Sequence, residues 1–155
     1  MASNQLWFGV WYNGSMKIRK EKSGVLVRFE KGEELISGLI EVISQMDAKK
    51  SGAFNVIGAT TDIELGFYSL NKKEYHWKSF VGEYEVTGGV GNISYFDGRP
   101  VVHLHTTIAD AEFSVFGGHV RKLVVGATCE VSLIFHDKVQ EREPVDKIGL
   151  NLWKL

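Results

Sequence analysis

The 155-residue sequence contains little cysteine and no long hydrophobic run. Its one cysteine, Cys129, cannot form an internal disulfide, and it lies in the apolar run of residues 125–135, where a buried and unreactive thiol is expected. No apolar run approaches the roughly 18 residues of a membrane-spanning helix, and the first residues lack the basic region and apolar core of a secretory signal. We therefore expect a protein of a reducing compartment, the cytoplasm, without membrane partners.

The sequence also lacks an excess of charge of either sign. It has 18 lysine and arginine residues against 19 aspartate and glutamate residues, which gives a formal net charge of −1. No global positive field is available to attract nucleic-acid phosphates or an anionic membrane. Binding to DNA must therefore be local or weak.

Glycine, in contrast, is plentiful. The 17 glycines separate short runs that are rich in valine, isoleucine, phenylalanine and tyrosine, which favours tight turns between β-strands. A chain of this length usually forms one domain. We expect a single domain over residues 17–155, preceded by an N-terminal extension of residues 1–16.

One segment has the pattern of a helix. Apolar residues recur at three- and four-residue spacing over residues 35–46. Glu33 and Glu34 would lie in the first turn, where acidic side chains favour the positive end of the helix dipole, and Gly52 follows a basic segment that would end the helix. The pattern predicts one main helix over about residues 33–48.

The remaining sequence predicts antiparallel strands. Ser23-Gly24 joins a polar and an apolar arm of a β-hairpin, and Asp97-Gly98 is a turn that should fold residues 92–95 onto residues 101–107. Four further β-rich runs are separated by turn signals, at residues 53–60, 63–70, 74–79 and 83–95. The predicted fold class is α+β, with a mostly antiparallel or mixed sheet and one helix packed against it.

Three histidines have spacing that suits a metal site. His103 and His105 alternate on a predicted strand, so both rings project from the same face with Cα atoms about 6.5 Å apart. Gly117-Gly118 precedes His119, and the two glycines permit a close approach that could bring a third imidazole to that face. From spacing alone, two solvated strand histidines are the alternative.

A site of this kind has a definite chemistry. Three neutral imidazoles leave a tetrahedral zinc ion with one open position, which is typical of catalytic rather than structural sites. A water molecule bound there can be acidified towards neutral pH.

Several sequence blocks follow one another in a fixed order, and the ordered set is more specific than any single block. The blocks are Arg28 with Gly32-Glu33, Gly91-Asn92-Ile93-Ser94, His103-Leu104-His105-Thr106-Thr107, Ala109-Asp110, Gly117-Gly118-His119-Val120, Thr128-Cys129-Glu130-Val131, and Arg142 with Asp146 and Gly149-Leu150. From about Lys17 onward they resemble the plants-and-prokaryotes conserved (PPC) domain, a family of unknown function related to the AT-hook nuclear-localised proteins of plants.

The chain thus resembles a stand-alone prokaryotic member of that family. The resemblance implies a homotrimer with a fold similar to that of acetolactate decarboxylase, in which three histidines hold zinc. Carried over by motif, the metal ligands would be His103, His105 and His119. It also implies a DNA-binding or regulatory role, with DNA as a weak partner.

Chemistry suggests further candidates around the metal. A ligand histidine usually donates its second ring N–H to a carboxylate. Glu130 is the candidate for this role, with Arg28 as its charge partner, and an ordinary surface ion pair is the alternative. His76 and His136 have no partner spacing and are expected to be structural or solvated.

Two functions stay open, besides a simple interaction module whose histidines only stabilise the trimer. The first is a DNA-associated or regulatory trimer. It would lack the AT-hook of plant relatives, because Asp97 stands before Gly98-Arg99-Pro100 where the hook needs an arginine, and an aspartate would repel phosphates. The second is a zinc-dependent enzyme that acts on a small carbonyl or carboxylate substrate.

Overall fold

The computed structural model describes the backbone of residues 10–13 and 15–155, and side chains from residue 15 onward. Of the predicted N-terminal extension, residues 1–9 and 14 lie outside the described part. The elements in chain order are β1 Val10–Asn13, β2 Met16–Glu21, β3 Gly24–Glu30, α1 Leu35–Ser44, β4 Gly52–Ser69, β5 Glu74–Phe96, β6 Arg99–Ala109, β7 Val115–Phe135, β8 Arg142–Val145 and β9 Leu150–Trp153.

Seven strands form one sheet in the order β1-β2-β3-β7-β4-β5-β6, and every neighbouring pair is antiparallel. The start of β7, residues 115–119, also pairs with residues 105–109 of β6. This extra pairing links β4, β5, β6 and β7 into a closed ring of hydrogen-bonded neighbours. It brings the start of β7 against β6, and this is where the three histidines lie.

The predicted α+β class with one main helix is confirmed, but the helix is shorter than expected. It spans Leu35–Ser44 and begins after Glu34, whose carboxylate accepts hydrogen bonds from the backbone N–H groups of Ile36 and Ser37. Glu33 lies outside it because its carbonyl accepts from Val125 and its carboxylate accepts from the Glu30 N–H. Both acidic residues therefore lie before the first turn, and not within it as the sequence predicts.

The helix packs against the sheet over β6 and β7, and its Gly38 meets the Phe29 side chain of β3. Leu35, Leu39 and Val42 are fully buried on its inner face. A Cβ at Gly38 would lie 2.4 Å from Cε1 of Phe29, so the glycine allows the helix to approach the buried ring. One continuous hydrophobic core lies between the helix and this side of the sheet.

Both predicted hairpins are present. Lys17 pairs with Arg28 across the first, and Asn92 pairs with His103 across the second. In the second turn, Asp97 and Gly98 have φ values of 48° and 74°, the left-handed geometry that an Asp-Gly hairpin turn requires.

The four predicted strands at residues 53–60, 63–70, 74–79 and 83–95 are in fact two long ones, β4 with 18 residues and β5 with 23. The expected break near Thr61 is a β-bulge, at which the register shifts between Thr60 and Asp62. The buried Thr60 hydroxyl donates a 2.6 Å hydrogen bond to the Val124 carbonyl there. The register of β5 with β6 shifts between Val86 and Gly88, which is a bulge in the glycine-rich part of β5.

The C-terminal residues form a separate two-stranded sheet from β8 and β9. It is tied to the main sheet by hydrogen bonds from the Tyr95 N–H to the Gln140 carbonyl and from the Gln140 N–H to the Ser51 hydroxyl. Within the described residues, no helix is long and apolar enough to cross a membrane.

Candidate metal centre

The three predicted histidines come together through strand pairing. His103 and His105 alternate on β6, and His105 is the direct antiparallel partner of His119 on β7. The two glycines before His119 permit this arrangement. A Cβ at Gly118 would lie 2.8 Å from the backbone oxygen of Gly66, so β7 can pass this close to β4 only with glycine at that position.

The rings converge on one point. One ring nitrogen from each histidine lies within 4.8 Å of the other two. Nε2 of His103 and Nε2 of His105 are 3.1 Å apart, and the three ring centroids are separated by 5.0 to 5.2 Å. Ligand nitrogens around a tetrahedral zinc ion are about 3.3 Å apart, so small ring movements would suffice to bind one.

Burial keeps two of these imidazoles neutral. It lowers the pKa of His103 to about 4, helped by the nearby positive charge of Arg142 and by His105. It also lowers the pKa of His119 to about 4, helped by the other two histidines and Arg142. Since metal ligands must be deprotonated, both rings have a lone pair available at neutral pH.

One buried nitrogen in the cluster has no partner. Nδ1 of His119 is inaccessible to solvent and makes no hydrogen bond to any described residue. Leaving a buried polar atom unsatisfied costs about 1–3 kcal/mol. A bound cation fits these residues, because it would accept the lone pairs of the ring nitrogens that converge in the cluster.

An aromatic wall from β5 flanks His119. The Tyr75 ring centroid lies 5.0 Å from that of His119, and the Trp77 centroid lies 6.0 Å away. The Arg121 guanidinium stacks 4.1 Å from the Trp77 centroid and makes a bidentate ion pair with Glu64. The alternation of Tyr75 and Trp77 along one strand is the sequence signal for this aromatic wall, but on its own it does not predict a contact with His119.

Arg142 of β8 also reaches the cluster. Its Nη2 lies 3.4 Å from Nδ1 of His103 and donates a 2.9 Å hydrogen bond to Oδ1 of Asn92. Its Nε donates to the Ser94 hydroxyl at 2.6 Å, and its Nη1 donates to the Asn151 carbonyl at 2.8 Å. In the sequence, Arg142 is part of the family pattern but not of the expected site.

The structure does not bring Glu130 and Arg28 to the histidines. The two are register partners on β7 and β3, and Glu130 lies in the second half of a 21-residue strand that has His119 near its start. Arg28 makes its ion pair with Glu30, at 2.7 Å. The charged group beside the His103 ring is the guanidinium of Arg142, and not the carboxylate that was expected.

These features define a class: a small, mostly antiparallel sheet protein with one short helix and a three-histidine cluster suited to a metal ion. The sequence matches the model of the Plants and Prokaryotes Conserved (PCC) domain over residues 16–135. The chain therefore belongs to this family, the PPC domain that its sequence blocks resemble. Strands β8 and β9, with Arg142, follow the matched region.

Solved structures of similar proteins support the assignment. A plant- and prokaryote-conserved protein from Pyrococcus horikoshii is 29% identical, with a TM-score of 0.79, and the match covers 94% of this chain and 98% of that one. A metal-containing protein from Archaeoglobus fulgidus is 28% identical, with a TM-score of 0.78 and coverage of 88% and 96%. A candidate DNA-binding protein from Ralstonia eutropha is 26% identical, with a TM-score of 0.82 and coverage of 89% and 95%.

The expected likeness to acetolactate decarboxylase holds at the level of the fold. The enzyme from Bacillus subtilis has a TM-score of 0.52 at 12% identity, over 92% of this chain and 75% of the enzyme. No protein with a curated description matches the sequence.

Proposed function

We propose that this chain is a metal-binding PCC-domain protein that holds one transition metal ion at His103, His105 and His119, with zinc as the first candidate. The observation that carries the proposal is the convergence of three ring nitrogens within 4.8 Å of one another. The lowered pKa values of His103 and His119 support it, as does the similarity to a protein described as metal-containing.

Elemental analysis of protein purified without a histidine tag tests this proposal. We expect close to one zinc, or one other transition metal ion, per chain. His105→Ala should lose most of it, whereas His76→Ala should retain it, because His76 is exposed and lies outside the cluster. Metal-free wild-type protein that also fails to take up zinc on dialysis would refute the proposal.

The loaded site is suited to chemistry on an oxygen ligand. Three protein ligands leave zinc one position for water or substrate, and the exposure of His105 leaves that side of the cluster open to solvent. A metal ion in such a position polarises a carbonyl or carboxylate oxygen. We therefore favour a zinc-dependent enzyme for a small carbonyl or carboxylate substrate, and turnover that is lost in His105→Ala would establish it.

DNA association in a regulatory role is the second candidate, supported by the similarity to a candidate DNA-binding protein. The formal net charge of −1 limits the contribution of phosphate contacts. We expect weak binding to a labelled A·T-rich duplex at low salt that disappears as salt is added. Absence of binding at the lowest salt concentration would rule out this candidate.

We also propose that the working unit is a homotrimer built from the single domain of residues 17–155. The sheet face that carries His105 also carries three exposed apolar side chains, Ile57, Val90 and Ile134, which are 56%, 70% and 62% exposed. Contact with further copies would cover this face. Light scattering should give a mass three times that of the chain, and Val90→Lys should lower it.

A further inference from the structure

Arg142 is a cation without a counter-ion. Among the described residues, no carboxylate oxygen lies within 4.0 Å of its guanidinium, and its three hydrogen-bonded oxygen acceptors, on Asn92, Ser94 and Asn151, are all neutral. Arg28 and Arg121, in contrast, each pair with a glutamate. A half-buried guanidinium that is surrounded by neutral groups favours the arrival of an anion.

The guanidinium is held in place rather than free to move. The three hydrogen bonds fix its plane, and the hairpin that carries it is anchored at both ends. The Tyr68 hydroxyl donates to the Ile148 carbonyl at 2.7 Å, and at the base of the hairpin the Tyr95 N–H donates to the Gln140 carbonyl at 2.9 Å. A fixed donor loses little conformational entropy when it binds a ligand.

Two N–H groups of Arg142 still lack an oxygen acceptor among the described residues. A guanidinium has five N–H groups, and one each from Nε, Nη1 and Nη2 is used. The remaining two belong to the two terminal nitrogens, the pair that a planar carboxylate can engage. The one on Nη2 is directed towards His103.

The contact with His103 changes character when a metal ion is bound. Nε2 of His103 faces the cluster, 3.1 Å from Nε2 of His105. A neutral imidazole that donates its Nε2 lone pair to a metal carries its proton on Nδ1. That N–H would then meet the Nη2 of Arg142, 3.4 Å away, as a second donor. Two facing donors next to an added cation require an acceptor oxygen that lies within reach of both.

We propose that Arg142, supplied by the β8–β9 hairpin, binds the carboxylate group of a small-molecule ligand beside the histidine cluster. The ligand class is a small carboxylate, held by the two N–H groups of Arg142 that lack an oxygen acceptor, with a further oxygen able to reach the open metal position. That last contact rests on the proposed metal site, whereas the contact with Arg142 does not. The site is therefore made jointly by the family-matched sheet and by the hairpin that follows it.

An acetate titration monitored by NMR tests the proposal. It is carried out on zinc-loaded and on chelator-treated protein. Arg142→Gln should bind acetate at least about tenfold more weakly than the wild type, since it loses the charge-assisted hydrogen bonds. Arg28→Gln is the matched control, because it removes the same charge from an exposed position outside the cluster, and it should bind like the wild type. Arg142→Lys keeps the charge without the planar fork and should bind with intermediate affinity.

Three results would overturn the assignment. They are no saturable acetate binding by the wild type, equal affinity in wild type and Arg142→Gln, and much tighter binding of inorganic phosphate than of acetate. If Arg142→Gln fails to fold, as judged by circular dichroism, the comparison of wild type with Arg142→Lys decides the question. Metal content, measured on the same samples, keeps this test separate from that of the proposed function. Protein that binds acetate through Arg142 but takes up no zinc on dialysis would refute only the metal site.

Discussion

His105 and His119 are direct partners in the antiparallel register of β6 and β7. Side chains at such paired positions lie on the same face of a sheet, so backbone pairing alone places the two rings next to each other. His103, two residues before His105, shares that face for the same reason. The cluster is therefore a property of the sheet, and changes that displace β7 should destroy it without touching a histidine.

Gly118→Ala should have that effect. The added methyl group would lie 2.8 Å from the backbone oxygen of Gly66, an atom that cannot move without shifting β4. We expect a loss of about 1–3 kcal/mol in the free energy of unfolding and a clear fall in bound metal per chain. Urea unfolding and elemental analysis measure the two effects.

Gly88→Ala is the matched control for this change. A Cβ at Gly88 would meet no atom within 4 Å, and the residue lies on the neighbouring β5. Its free energy of unfolding should stay within about 0.5 kcal/mol of the wild type, with its metal retained. Equal metal loss in both variants would show that the close approach at Gly118 does not position His119.

The stability of the metal-free protein should fall in mild acid. Burial holds the pKa values of His103 and His119 at about 4 in the folded chain, against an ordinary value of 6.5. Between these two values the unfolded chain binds protons that the folded chain does not, so lowering the pH favours unfolding. The free energy of unfolding is therefore highest above pH 6.5, and it falls as the pH is lowered to about 4.

We expect this loss to be roughly 1–2 kcal/mol for each histidine, which allows for the partial solvent exposure of both rings. Urea unfolding at several pH values, with chelator present, measures it. A double variant with His103→Gln and His119→Gln should show a flatter dependence over the same pH range. Parallel curves for the variant and the wild type would mean that other groups cause the acid sensitivity.

The central part of the site was predictable because it follows from local rules. The alternation of His103 and His105 fixes a shared face, and the glycine pair before His119 indicates a close approach of strands. The structure brings all three together as these rules imply. Both rules concern residues close together in the sequence, which is where sequence patterns carry the most information.

Arg142 was not predictable as a neighbour of the histidines. Its contacts with Asn92 and Ser94 link residues far apart in the sequence, and they depend on how the C-terminal hairpin folds back onto β5. Chemical reasoning predicted a carboxylate, that of Glu130, as the partner of a ligand ring, but the group beside His103 is the guanidinium of Arg142. The sequence does not show how far along β7 Glu130 lies from the cluster.

The sequence predicted four short strands instead of the long β4 and β5 for a different reason. A Thr-Asp pair is typical of a turn, but it also suits a bulge in which the threonine hydroxyl takes over a backbone acceptor. At Thr60 the structure has the second arrangement, with the hydroxyl bonded to Val124 on the adjacent strand. Whether such a partner strand is present is a tertiary fact that the local sequence does not contain.

The N-terminal cap of the helix should matter for stability. Glu34 accepts hydrogen bonds from the N–H groups of Ile36, Ser37 and Leu123, so it joins the helix to β7. Glu34→Ala should lower the free energy of unfolding by about 1–2 kcal/mol. Glu41→Gln, on the exposed side of the same helix, should change it by less than about 0.5 kcal/mol. Equal effects in urea unfolding would rule out a special role for the cap.

Cys129 should resist modification in the folded protein. The structure confirms that its side chain is fully buried, as the sequence predicts, and burial raises the pKa of the thiol to about 11, although a hydrogen bond with the Ala59 backbone opposes the shift. Only about one molecule in a thousand would carry a thiolate at pH 8. Iodoacetamide should therefore react slowly with native protein and rapidly in urea. Labelling at the same rate in both conditions, followed by mass spectrometry, would show that the strand opens readily, because a buried thiol reacts only when β7 leaves the sheet.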